Sequence, residues 1–173
     1  MQRTKSLTLY NMIFPIWLLW LLPPVSLLIL PANFLWDMLI LVLSMRVLGI
    51  TGALKEARSV IVRVWLCGFL ADAVGALAMV FMSFIQPTRA SVWADWWYDK
   101  VMGPSVYNPL SNPYAFGYVG IFILLSAILI YICNIMFCLN KLTLEMQKKK
   151  KLALFLAVFT APYLFYLPVE WFA

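Results

Sequence analysis

The chain has 173 residues, of which 65% are hydrophobic and only 12% charged. A soluble domain carries roughly 25% charged residues, so this composition excludes a fold with a fully aqueous surface. The net charge of +6 sits on the flanks of apolar stretches, which argues against a soluble nucleic-acid-binding fold and predicts no nucleic-acid partner.

The predicted class is all-α: a polytopic integral membrane protein forming a single transmembrane domain over residues 1–173, with the lipid bilayer as its first partner. A helix needs about 20 apolar residues to cross roughly 30 Å of hydrocarbon. Five stretches meet that length, at roughly 8–30, 33–50, 60–85, 116–139 and 152–172. Arg3 and Lys5 ahead of the first run have the outline of a signal peptide. No small-residue cleavage site follows, and Pro23-Pro24 stand where one would be, so a retained span is expected. These prolines should kink the first span or end its regular part. A tight hairpin to the second span is expected, broken at Pro31-Ala32-Asn33.

In the second span, Asn33, Asp37 and Ser44 share one helical face. Asn33 as an N-cap with Asp37 in the first turn would account for two of them. A polar stripe serving a binding site would account for all three. Asp72 lies near the middle of the third span. An ionised Asp at mid-bilayer costs roughly 2.5–3.5 kcal/mol on insertion scales, which makes it a functional candidate. Gly68, Ala71, Gly75 and Ala76 surround it, and small residues of this kind let helices approach closely. Asp72 therefore serves either a helix contact or a proton or substrate site. Arg63 is out of phase with it on the helix and is expected to reach back to the membrane surface.

Residues 86–115 form the long outer loop. Trp93, Trp96 and Trp97 fall at helical spacing on one face, predicting a short amphipathic interfacial helix. It would act as a membrane anchor or as an aromatic lid. Asn108-Pro109 and Asn112-Pro113 are turn signals that structure the rest of the loop. In the fifth span, Tyr163 and Tyr166 share a face with Glu170, as interfacial belt residues or as a cavity lining. Pro162 and Pro168 make this span irregular, and irregular backbone at membrane depth is tolerated where it lines a cavity or is buried in protein.

Eleven of the thirteen Lys and Arg fall on one side of this five-span scheme, leaving only Arg89 and Lys100 on the other. The expected orientation is N-terminus cytoplasmic and C-terminus outside, in a prokaryotic plasma membrane. Lys148, Lys149, Lys150 and Lys151 read as topology anchors, with attraction to anionic lipid as the second reading. The three cysteines, Cys67, Cys133 and Cys138, all lie within spans and form no CxxC, so they are expected as small buried hydrophobes. No histidine is present, which removes the commonest general base and metal ligand. No catalytic residue, metal or cofactor is assigned.

Asp37, Asp72, Tyr166 and Glu170 all fall at mid-membrane or outward. With Asn33, Tyr163, Trp93, Trp96 and Trp97 they define the expected site, a polar and aromatic cavity open to the outside. Its acids and rings suit a cationic or neutral aromatic small molecule. The leading expectation is a solute-uptake or substrate-binding subunit working with other membrane subunits. In size and hydropathy the chain is similar to the substrate-binding subunits of energy-coupling-factor transporters, although their six spans and the AxxxA motif of their first span are not found here. Two alternatives are an assembly or scaffold subunit using the small-residue face, and a lipid-active enzyme using Asp37 and Asp72 as an acid–base pair.

Overall fold

Hydrocarbon offers no water to backbone polar groups, so a chain of this composition must satisfy them internally. The computed structural model describes residues 23–85 and 92–168, and no strand occurs among them. The helices are α1 (Pro23–Val47), α2 (Ala53–Phe84), α3 (Val92–Trp97), α4 (Gly103–Tyr107), α5 (Pro113–Cys133) and α6 (Met146–Phe159). A π-helical turn, Tyr98–Met102, joins α3 to α4, and a second, Asn134–Cys138, extends α5. Among the described residues three helices are long and apolar enough to cross a membrane: Ile29–Val47 within α1, α2, and α5 with its extension to Lys141.

Two boundaries differ from those expected. The break at Pro31-Ala32-Asn33 is not there: α1 runs through it with Pro31 inside the helix. Asn33 is consequently an interior residue and caps nothing. Proline removes one backbone donor, and in a membrane helix the freed carbonyl can be satisfied by neighbours. The fifth span is also not a continuous helix. α6 begins at Met146, takes in the lysines and stops at Phe159 after 14 residues, about 21 Å of helix. The first expected span lies largely outside the described residues.

The turn from α1 to α2 is built on two glycines with positive φ, Gly49 at 67° and Gly52 at 69°. Ile50 N–H donates to Met45 O at 2.9 Å and Gly49 N–H to Arg46 O at 3.0 Å. This is a Schellman closure, which needs a left-handed residue at the position of Gly49. At the start of α5, Asn112 Oδ1 accepts from Tyr114 N–H and Ala115 N–H at 3.0 and 2.9 Å, with Pro113 in the first turn. The second Asn-Pro signal is thus a helix cap.

α1 packs on α2 and α6, and α5 packs on α2 and α6, closing a ring of four helices. Successive members run in alternating directions. Asp37 meets Gly68 and Ser126 meets Gly75, placing α1 and α5 antiparallel to α2. One core cluster, including Leu41, Met45, Val60, Ile130, Leu139, Leu152 and Leu156, lies toward the 48–52 turn. The other gathers Met79, Val101, Met102, Val119, Phe122 and Phe165 beneath the tryptophan segment. Alternation brings Arg46, Lys55, Arg58, Lys141 and Lys148 to Lys151 to one end of the ring and Asp95, Asp99 and Lys100 to the other.

The small-residue stripe of α2 is consumed within the chain. A Cβ at Gly75 would collide with Ser126 Oγ and approach Phe122 O to 3.2 Å. Gly75→Ala is therefore expected to lower stability by about 1–3 kcal/mol through overpacking. The double variant Gly75→Ala/Ser126→Gly should recover most of the loss, read as thermal unfolding midpoints in one detergent; an unchanged single variant would contradict the packing.

Candidate functional site

Packing brings the two intramembrane acids together. Asp37 is 2% exposed and Asp72 7%, on facing sides of the α1–α2 contact. Gly68, one turn before Asp72, presents no side chain, and Asp37 Oδ2 lies 3.6 Å from where a Cβ would be. The electrostatic neighbour of Asp72 is Asp37, another acid, and Asp72 Oδ1 is buried without a hydrogen-bond partner. Ser44, Ser126 and Asn134 are also buried. The polar stripe of α1 thus faces inward, with Asn33 half-buried above Asp37 and Ser44 buried below it.

The end of α6 supplies the rest. Pro162 has no N–H to give to Val158 O, so the helix cannot continue through it. Side chains take up the carbonyls of Val158 and Phe159, while Leu156 O keeps a backbone donor, Thr160 N–H, at 2.9 Å. Trp36 Nε1–H of α1 donates to Phe159 O at 2.9 Å. Tyr163 O–H folds back to Val158 O at 2.7 Å, and Thr160 O–H donates to Leu156 O at 2.8 Å. Beyond the break the chain forms a 3₁₀ turn, Tyr163–Tyr166. Trp36 therefore joins two elements at the point where the backbone is weakest.

A cavity of about 440 Å³ opens at this junction. Asp72, Asn33, Trp36, Thr160, Pro162 and Tyr163 are among its lining residues. The carbonyl end of a helix carries partial negative charge, and it adds here to a buried carboxylate and two aromatic rings. The arrangement can accept hydrogen bonds and stabilise positive charge. Among the described residues no group of three or more His, Cys, Asp or Glu has the geometry of a metal site.

Of the expected site residues, the cavity brings together Asn33, Asp72 and Tyr163, with Asp37 buried behind Asp72. The tryptophans are elsewhere. Trp93 stacks on Trp97 at 5.6 Å, Trp97 meets Tyr118 edge-on at 5.9 Å, and Trp96 meets Tyr114 at 5.2 Å. They sit over the start of α5, with Trp93 and Trp96 exposed. Tyr166 stacks on Phe116 at 4.5 Å and donates to Phe116 O at 3.2 Å, in the space Gly120 leaves. Glu170 lies outside the described residues.

Trp36 and Thr160 were not singled out from the sequence. A signal existed: Trp36 is three residues after Asn33, and Thr160 precedes Pro162, where a broken helix needs local donors. The cysteines were expected as small buried hydrophobes; Cys138 is buried, whereas Cys67 and Cys133 are half-buried. Comparison with known families, curated proteins and solved structures finds no match to this chain.

Removing one cap should loosen the break. Trp36→Phe keeps a ring but withdraws the donor to Phe159 O, with an expected loss of about 1 kcal/mol. Amide hydrogen exchange should rise selectively over 155–166. A uniform rise across the protein would mean that Trp36 acts through general packing instead.

Proposed function

We propose that this protein is a membrane-embedded solute-binding subunit whose site is the cavity at the end of α6, and that its ligand is a small organic cation. The observation that carries this reading is the buried, unpartnered Asp72 Oδ1 beside a second carboxylate, in a cavity that also receives a helix C-terminus. Two neighbouring buried acids and a negative dipole end lack a compensating positive charge. A bound cation would provide it, with Trp36 and Tyr163 contributing ring faces. Broken membrane helices whose carbonyl ends meet a cation are a recurrent way of building such sites.

The proposed topology follows the charge distribution. The basic end of the ring lies in the cytoplasm, the tryptophan segment lies outside, and an N-terminal span and the segment after the break complete five crossings. The scaffold alternative draws less support, because Gly68 and Gly75 face Asp37 and Ser126 of the same chain and are not free for a partner helix.

Binding can be read directly on purified protein. Benzylammonium should raise the unfolding midpoint, whereas benzyl alcohol, of similar shape but uncharged, should not. Asp72→Asn should weaken benzylammonium binding by roughly thirtyfold or more, as expected when one member of a buried charge pair is removed. Equal responses of the wild-type and Asp72→Asn proteins, or equal responses to the two compounds, would refute a cation site at this cavity.

A further inference from the structure

A second concave surface lies on the opposite side of α6 from Trp36, between α5 and α6, with a volume of about 610 Å³. Its floor is made shallow by small residues facing each other, Ala127 on α5 and Ala157 on α6, and its walls are aliphatic, including Leu124, Ile128 and Leu154. At one end it stops at Lys150 and Lys151, and at the other at Ala161 and Tyr163. Of these residues only Ala161 and Tyr163, at the shared end, border both cavities.

The dimensions and the charge select one occupant. Lys151 to Phe159 covers about 12 Å of helix and Ala161 lies just beyond its end, close to half of a hydrocarbon core of roughly 30 Å. The groove is therefore as long as one leaflet is deep. Apart from Tyr131 and Tyr163 its walls are aliphatic, and its charge is confined to the lysine end. Both ammonium groups are exposed, and from Glu145 to Glu170 the chain contains no acid to neutralise them. Long side chains at a helix end place their charge at the membrane surface while their stems lie along apolar neighbours.

We infer that this groove is a binding site for one anionic glycerophospholipid, with an acyl chain along Ala127 and Ala157 and its phosphate held by Lys150 and Lys151. The site separates two pairs within the run of four lysines. Lys150 and Lys151 line the groove, whereas Lys148 and Lys149 do not and contribute only general attraction to an anionic surface. The lipid would also cover the face of α6 next to its break, where the helix is held by side chains rather than by its own continuation.

Native mass spectrometry of the full chain, released from nanodiscs containing phosphatidylglycerol and phosphatidylcholine in equal amounts, tests this. The wild-type protein should retain one phosphatidylglycerol in preference to phosphatidylcholine. Lys150→Gln/Lys151→Gln should lower that retention about thirtyfold, the effect of two surface charges, while Lys148→Gln/Lys149→Gln should change it little. Ala127→Trp fills the groove and leaves the lysines in place, and it should also lose the lipid. Equal losses in the two lysine pairs would overturn the site in favour of diffuse attraction. Undiminished retention by Ala127→Trp, with an unchanged unfolding midpoint, would place the lipid elsewhere.

Discussion

A carbonyl without a donor is expensive in hydrocarbon, and Pro162 creates such carbonyls near the end of α6. Much of the arrangement around the site answers that one constraint. Trp36 reaches across from α1 to Phe159 O, Tyr163 turns back to Val158 O, and Thr160 closes onto Leu156 O. For Phe159 O and Val158 O the donor is a side chain because the backbone cannot continue, whereas Leu156 O takes both the N–H and the O–H of Thr160. The same break leaves the space between α1 and α6 that Asp72 reaches from α2. The cavity is thus a consequence of how a broken helix is capped, and the cap ties α1 to α6.

α2 is the element on which the polar interior depends. Its two glycines meet neighbours closely: Ser126 occupies the space of a side chain at Gly75, and Asp37 lies in van der Waals reach of Gly68. Close approach buries the acids deeply, and burial removes the water that would otherwise screen them. Two carboxylates in that setting repel one another unless a proton or a cation intervenes. Packing and chemistry are therefore coupled here, since a looser α1–α2 contact would both admit water and relax the demand for positive charge.

Membrane helices seldom associate through hydrophobic burial, because lipid tails are as apolar as leucine. In this ring the small residues perform two different tasks. The space at Gly75 is filled from within by Ser126, and Gly68 faces Asp37 of the same chain. Ala127 and Ala157 face each other without closing the gap, and so leave a groove toward lipid. The difference lies in what stands opposite: a side chain that fits the space in the first case, and another alanine in the second.

The amino-acid pattern by itself determined the helical membrane class, the clustering of basic residues, the shared polar face of Asn33, Asp37 and Ser44, the small-residue face of α2 and the irregularity around Pro162. All of these follow from local periodicity, charge and the missing proline donor, which a single segment carries. The continuity of α1 through Pro31, the meeting of Asp37 with Asp72 and the recruitment of Trp36 were decided only in the tertiary structure. Each depends on the register between helices. A residue's spacing states which face it occupies on its own helix but not which neighbour faces it. The tryptophans show this most clearly, for their spacing correctly placed them on a short helix, yet the rings of Tyr114 and Tyr118 determined where that helix docks.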